Sequence, residues 1–251
     1  MNHIKVIAFD ADDTLWDCQG HFERVMQQLY TELLPWGDRE TAARELFATE
    51  RKNMPALGFG TKAFTLSVME TAMRVSRCEM GADRLSHILQ LCYGLLSFPC
   101  TPLPEVEETL QVLRGYDGAQ TDAAHRSLHL RPSPFTDNFR MVVFTKGELQ
   151  DQENKLRRSG LLKYFDDVEI TSDKTQHEFL LLCKHNDIHP SELLMVGNSL
   201  KSDIAPALAI GAWAVYIPFH VTWELEHTDS FEHPRMVQIE HFSQLLTLYQ
   251  N

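Results

Sequence analysis

Hydrophobic and polar positions change their period along the chain. Residues 4–9 form a nearly unbroken apolar run, which predicts a buried strand. From residue 22 to 33, apolar residues recur every three or four positions, as on one face of an amphipathic helix. Similar helical patterns follow over 39–53, 64–75 and 85–96. We therefore expect residues 18–97 to be wholly helical, as in a bundle inserted into another domain.

Helix-breaking residues and caps predict where these helices begin and end. The run Asn53-Met54-Pro55 is expected to end the second helix, and Asp83 is expected to cap the fourth. A proline-rich stretch from Pro99 to Pro104 indicates a domain boundary. Residues 116–139 have few aliphatic side chains, and we interpret them as a long surface loop.

The second half of the chain alternates between short apolar runs and helical patterns. Strands are predicted over 141–145, 168–171, 193–196 and 213–217, and helices lie between them over 149–159, 175–186 and 204–210. This alternation predicts an α/β fold with a parallel sheet and helices on both faces. The sequence thus predicts a core of residues 1–17 and 98–251 and an inserted helical domain of residues 18–97.

Composition narrows the class of protein. The 251 residues are 43% hydrophobic, which supports a packed core. The net charge of −12 disfavours nucleic acid and anionic membranes as partners. The five cysteines include no CxxC pair, which is typical of a reducing compartment. Without a signal segment or an apolar run of about 20 residues, we expect a cytoplasmic protein.

Polar side chains stand at the ends of several predicted strands. Three carboxylates, Asp10, Asp12 and Asp13, follow the first strand and repel one another unless a cation or a proton lies among them. Thr145 ends another strand, and Lys174 lies just beyond the next. The carboxyl ends of parallel strands share one edge of a sheet, so we expect these groups to converge. An acidic turn without function is the alternative for the carboxylates alone.

The motifs at these strand ends resemble those of the haloacid dehalogenase-like (HAD) hydrolase superfamily. The resemblance rests on Asp10-Ala11-Asp12-Asp13-Thr14, then Thr145, then Lys174, then the run from Gly197 to Asp203. They occur in the family's order, each behind an apolar strand. The resemblance implies a Rossmann-like core and makes residues 18–97 the family's helical cap.

The resemblance also implies a role for each motif residue. Asp10 would be the nucleophile that forms an aspartyl-phosphate, and Asp12 would be the general acid and base. Thr145 would bind phosphoryl oxygens, and Lys174 would offset negative charge; Lys146 and Lys201 are rival candidates for that lysine. Further phosphate contacts are expected from Ala11, Lys146 and Gly147. A Mg²⁺ ion is expected on Asp10, Asp12, Asn198 and Asp203.

The fourth motif departs from the family pattern. It usually begins Gly-Asp, whereas this chain has Gly197-Asn198. A carboxamide oxygen still ligates Mg²⁺ but brings no charge, so weaker metal binding is expected. Whether Asn198 or Asp203 contacts the metal directly is left open by the sequence.

The expected function is a Mg²⁺-dependent phosphomonoesterase that acts on a small phosphorylated metabolite. A C–halogen hydrolase of the same superfamily is an alternative, although it needs no proton donor at Asp12. A phosphomutase would keep both aspartates but exclude water. A non-catalytic protein that binds a phosphorylated ligand is the third alternative, suggested only by Asn198. The sequence leaves the substrate and the oligomeric state open.

Overall fold

A six-stranded parallel sheet forms the centre of the molecule. The computed structural model describes residues 3–115 and 139–249. The strands lie in the order β3-β2-β1-β4-β5-β6, and each neighbouring pair is parallel. Their bounds are β1 Val6–Phe9, β2 Arg140–Lys146, β3 Asp167–Thr171, β4 Leu193–Gly197, β5 Trp213–Tyr216 and β6 Met236–Gln238. The predicted α/β class with a parallel, Rossmann-like sheet is confirmed.

Eight α-helices accompany the sheet in the described part of the chain. They are α1 Gln19–Leu33, α2 Arg39–Leu57, α3 Thr61–Val75, α4 Ala82–Gly94, α5 Val106–Leu113, α6 Leu149–Ser159, α7 Gln176–His185 and α8 Ala205–Ala209. A π-helical turn, Leu200–Ile204, precedes α8, and a 3₁₀ segment, Phe242–Tyr249, ends the chain. Among the described residues, no helix is both long and apolar enough to cross a membrane.

Side chains of β1 alternate between two hydrophobic layers. Ile7 and Phe9 join the layer that contains Leu110 of α5 and Leu156 of α6. Val6 and Ala8 point to the opposite face, where α7 and α8 supply Phe179, Leu182 and Ala207. Strand side chains alternate with a period of two, so a strand that is apolar on both faces is covered by helices on both sides.

The helices α1 to α4 pack around a hydrophobic core of their own. Its fully buried members include Leu29 of α1, Leu46 of α2, Val68 of α3 and Ile88 of α4. The chain enters this unit after β1 and leaves it before α5, so it is an insertion between two elements of the sheet domain. We refer to it as the helical domain.

The ends of two predicted helices were wrong. The second helix does not stop at Asn53-Met54-Pro55, because Pro55 lies within the last turn of α2. The stop is Gly58, whose φ of 69° favours a residue without a Cβ atom. Asp83 does not cap α4; the cap is Gly81, and Asp83 lies in the first turn, where its charge complements the helix dipole.

Two C-terminal elements were not predicted from the sequence. The strand β6 has only three residues, none of them buried, and therefore lacks a clear apolar run. The 3₁₀ segment that follows packs Phe242 and Leu245 into the layer beneath β1. The surface loop predicted for residues 116–139 lies, apart from Phe139, outside the described residues.

Candidate active site

A buried lysine joins two carboxylates at the carboxyl edge of the sheet. Asp10 directly follows β1, and its Oδ1 accepts a hydrogen bond of 2.5 Å from Lys174 Nζ. The same ammonium group lies 2.6 Å from Oδ1 of Asp203. Burial and the charge of Asp203 raise the pKa of Asp10 to about 7, against the influence of Lys174. Burial alone would lower the pKa of Lys174, but the two carboxylates raise it.

Gly197 makes room for one of these carboxylates. The second oxygen of Asp203 accepts a hydrogen bond from the Ser199 backbone N–H at 2.9 Å. A Cβ atom placed on Gly197 would lie 2.3 Å from that oxygen, so this approach requires glycine. Both oxygens of Asp203 are thus occupied, one by Lys174 and the other by the backbone.

The side-chain oxygens of Asp10 and Asn198 both lie next to the hydroxyl group of Thr14. This hydroxyl group lies 2.8 Å from Asp10 Oδ2 and 3.2 Å from Asn198 Oδ1. Within residues 3–115 and 139–249, no group of three or more His, Cys, Asp and Glu side chains has the arrangement of a metal site. The convergent donors are instead one carboxylate and one carboxamide, a set of oxygen ligands that suits a Mg²⁺ ion retaining several waters.

The carboxylate of Asp12 is bound to a second buried lysine. Lys155 Nζ lies 2.9 Å from Asp12 Oδ2 and 3.2 Å from Oδ1. The indole N–H of Trp16 and the amide of Gln152 also donate to this carboxylate, at 2.8 Å and 3.1 Å. Burial would raise the pKa of Asp12, but Lys155 and these hydrogen bonds lower it overall. The preceding Ala11 is buried, and its carbonyl closes the turn by accepting from Thr14 and Leu15.

Gln152 connects Asp12 with the end of β2. Its amide nitrogen lies 2.8 Å from the hydroxyl oxygen of Thr145 and also reaches the Lys146 carbonyl at 3.1 Å. Because the Thr145 oxygen accepts this bond, its own hydroxyl proton is free to be donated to a substrate oxygen.

Lys146 and Gly147 are turned towards partners within the protein. Lys146 Nζ forms an ion pair of 2.5 Å with Glu226 and a hydrogen bond of 2.7 Å to Ser202. The N–H of Gly147 donates to the Thr171 carbonyl. These two groups are therefore already bound to protein atoms.

Gln152, Lys155 and Glu226 were missed by the sequence analysis. The first two lie on the buried stripe of α6, together with Leu156 and Ser159. An amphipathic helix normally places apolar residues at such spacings, so polar side chains there were an available signal. Glu226 lies in an irregular segment, where no periodicity points to it.

All predicted site residues except Ala11 line one cavity. It encloses ≈ 1180 Å³ of free space, including its open mouth, between the edge of the sheet and the helical domain. The turn between α2 and α3 reaches the sheet domain there: Thr61 donates a hydrogen bond of 2.8 Å to Asp151 of α6, and Lys62 pairs with Glu148 at 3.2 Å.

The chain belongs to the family of haloacid dehalogenase-like hydrolases, whose family model matches residues 4–211. A HAD-like hydrolase from Xanthomonas campestris has a similar structure, with 26% identity and a TM-score of 0.81 over 99% of this chain and 91% of that chain. The resemblance stated from the sequence is thereby confirmed, and the protein is an enzyme of the hydrolase class. A comparison with curated proteins gave no match.

More distant structures share the fold. A candidate HAD hydrolase from Bacillus subtilis, bound to magnesium, is 14% identical with a TM-score of 0.64, and the match covers 99% of both chains. A 2-haloacid dehalogenase from Pseudomonas syringae pv. tomato DC3000 is 20% identical with a TM-score of 0.61 over 98% of both. Phosphatases are also among the matched structures. The matches therefore do not decide whether the substrate is a phosphate ester or an organic halide.

Proposed function

We propose that the protein is a Mg²⁺-dependent phosphomonoesterase that hydrolyses a small phosphorylated metabolite. The observation that carries this proposal is the pairing of two carboxylates with two buried lysines. Asp10 is bound to Lys174, and Asp12, two residues further on, is bound to Lys155. The first carboxylate suits a nucleophile held in a field of positive charge, and the second suits a group that moves protons.

The reaction proceeds in two displacement steps. A carboxylate oxygen of Asp10 bonds to phosphorus while the ester P–O bond breaks, and the leaving oxygen takes a proton from Asp12. In the second step water attacks phosphorus, its proton goes to Asp12, and the bond between Asp10 and phosphorus breaks to release inorganic phosphate. The hydroxyl group of Thr145 donates a hydrogen bond to a phosphoryl oxygen during both steps and keeps its proton.

Proton transfer requires that Asp12 be protonated when substrate is bound. Lys155 lowers the pKa of Asp12, whereas the negative charge of a bound phosphate dianion would raise it. The uptake of a proton by Asp12 thus accompanies substrate binding.

The oxygen donors around Thr14 support a magnesium site. Asp10, Asn198 and the Asp12 backbone carbonyl would hold the ion, and a matched family member is described as bound to magnesium. When bound, the ion would supply positive charge opposite the phosphoryl oxygens. Asp203 would not be a direct ligand in this arrangement; its role would be to anchor Lys174.

A 2-haloacid dehalogenase is the second candidate, because two of the matched structures carry the names 2-haloacid dehalogenase and L-2-haloacid dehalogenase. Its reaction displaces halide, which leaves without protonation and needs no acid. Asp12 would then have no proton to transfer, and its contacts with Lys155, Gln152 and Trp16 would serve no step. The contacts of Asp12 therefore favour the phosphomonoesterase.

The proposal is tested by measuring product release by wild-type protein with Mg²⁺. We expect inorganic phosphate from 4-nitrophenyl phosphate and no halide from 2-chloropropionate. Asp10→Asn should abolish phosphate release, while Asp83→Asn, an exposed change on α4, should not alter it. Halide release that depends on Asp10 would establish the dehalogenase instead. Phosphate transfer to another hydroxyl group without release would indicate a mutase, and binding without turnover would indicate a non-catalytic protein.

A further inference from the structure

Four aromatic rings line the wall of the cavity that faces the phosphate site. Phe22 of α1 packs edge-on against Phe64 of α3, with ring centroids 4.9 Å apart. Phe59 and Trp223 form a second edge-on pair at 6.0 Å, one from the helical domain and the other from the sheet domain. All four rings line the same cavity as Asp10 and Asp12. A substrate with its phosphate on Asp10 would thus have its alcohol part among aromatic rings.

The position of Phe59 is fixed by its two neighbouring glycines. Gly58 and Gly60 have φ angles of 69° and 107°, values that favour residues without a Cβ atom. They form the turn between α2 and α3, and this turn brings the Phe59 ring to 4.0 Å from Lys146 Nζ. The ammonium group stacked on the ring and its ion pair with Glu226 hold this wall in place.

The helical domain contributes little charge to the cavity. Among the described residues, those of the helical domain that line the cavity include no lysine or arginine. Arg51 lines an adjoining opening, which shares Phe59 and Lys174 with this cavity. Glu50 is the acidic side chain of this wall; it is only 8% exposed, and burial raises its pKa to about 7. Asn53, the nearby amide, already donates to Ser67 and Glu70.

The cations of the sheet domain that line the cavity are already paired. Lys174 binds Asp10 and Asp203, Lys155 binds Asp12, and Lys146 binds Glu226. A second phosphate or a carboxylate on the substrate would therefore meet no unpaired cation among the described residues that line this cavity. A sugar or polyol would leave many hydroxyl groups against aromatic rings without hydrogen-bond partners, which is costly.

We propose that this cavity takes the monophosphate ester of a planar, mostly apolar alcohol that carries no second anionic group. The inference rests on the proposed phosphomonoesterase function and specifies its substrate class. The aromatic rings supply dispersion and edge contacts to the planar body. The helical-domain wall, whose described residues include Glu50 and no lysine or arginine, disfavours substrates with a second anion.

The test compares esters of primary alcohols, so that the leaving groups have similar basicity. The substrates are 2-naphthylmethyl phosphate, glycerol 1-phosphate, glucose 6-phosphate and 2-phosphoglycolate. We expect kcat/KM for the naphthyl ester to exceed each of the others by at least about tenfold. Equal or faster hydrolysis of any of the other three esters would overturn the inference while leaving the phosphomonoesterase intact. Failure to hydrolyse any ester, 4-nitrophenyl phosphate included, would overturn the proposed function and this inference with it.

Variants of the aromatic wall provide a second readout. Phe59→Ala and Trp223→Ala should raise KM for 2-naphthylmethyl phosphate by about tenfold, and their effect on glycerol 1-phosphate should be several-fold smaller. Leu66→Ala removes an apolar side chain from the outer face of α3, where it is 55% exposed, and should change neither rate. Equal losses on both esters in the two aromatic variants would contradict selection by the rings.

Discussion

Replacing Lys155 by methionine tests whether Asp12 acts as the general acid, because it disturbs the surroundings of Asp12 without changing Asp10 or Lys174. Methionine keeps much of the length and the apolar character of the side chain but removes the ammonium group, which is 3% exposed. Asp12 would keep its hydrogen bonds from Trp16 and Gln152 and lose its one buried cationic partner. Asp151, 3.8 Å from the same ammonium group, would lose that partner as well.

Two magnitudes follow from this arrangement. Removing one partner of a buried ion pair costs about 3–5 kcal/mol, and the lower end is expected here because the Asp12 side chain is 26% exposed. In catalysis, a positioned general acid contributes about 10²–10⁴ in rate, and Lys155 holds the Asp12 carboxylate in position through contacts to both of its oxygens. Without Lys155 the pKa of Asp12 should rise, so the loss expected here comes from misplacement of the acid and not from its ionisation. We expect a loss of about 10²-fold for a strongly basic leaving group and less than about threefold for a weakly basic one.

The assay compares kcat/KM for benzyl phosphate and 4-nitrophenyl phosphate. The two esters have rings of similar size, but only the benzyl alkoxide needs a proton in order to leave. Because kcat/KM reports the steps up to formation of the aspartyl-phosphate, it is insensitive to the later role of Asp12 as a base. Urea unfolding of the same variant gives the change in stability.

The control is Lys163→Met, which removes a lysine from an exposed ion pair with Glu107. These side chains are 58% and 39% exposed, so the stability should fall by less than about 1 kcal/mol and both rates should be retained. Equal losses on benzyl and 4-nitrophenyl phosphate in Lys155→Met would refute the reasoning, because a misplaced acid cannot slow a reaction that needs none.

Three further predictions concern the glycine, the metal and the buried acid of the site. Gly197→Ala should destabilise the fold by about 1–3 kcal/mol in urea unfolding, because its Cβ atom would overlap Asp203 Oδ2. The control is Gly81→Ala, whose added carbon has no heavy atom within 4 Å. Chelation of divalent cations should stop hydrolysis of 4-nitrophenyl phosphate, and Asn198→Asp should lower the Mg²⁺ concentration that restores half of the rate; an unchanged rate after chelation would rule out the metal. Glu50 has its pKa raised from 4.5 to about 7, so the stability that it confers is full below pH 4.5 and is lost as the pH rises to about 7. The free energy of unfolding of Glu50→Gln should therefore rise relative to that of wild type by up to about 3 kcal/mol between about pH 5 and about pH 8, as measured by urea unfolding. A difference that does not depend on pH would contradict this.

Local patterns predicted most of the sheet and the order of its motifs. The strand β1 could be predicted because a short apolar run that ends in aspartates is readable without knowledge of any partner. The same is true of the helix predicted over 149–159, which ends at Gly160 with a φ of 71°. The edge strand β6 could not be predicted, since its three partly exposed residues leave no local signal.

Contacts between distant parts of the chain decided how the site is organised. Lys155 is 143 positions from Asp12, and Lys146 is 80 positions from Glu226. The place of Lys155 on the buried stripe of α6 hints at burial but does not name its partner. Nothing local distinguishes Lys146 from a phosphate-binding lysine. Only the packing of α6 against the turn after β1 buries the first, and only the segment after β5 supplies a carboxylate to the second.

The sequence by itself determined the family, the fold class and the convergence of Asp10, Thr145 and Lys174 on one edge of the sheet. It did so because apolar runs fix the strands, and because parallel strands deliver their following residues to the same edge. Only the tertiary structure decided which lysine neutralises which carboxylate, and that aromatic rings from two domains face the phosphate site. Those features depend on side chains that meet across the fold, and a pattern along the chain records spacing but not contact.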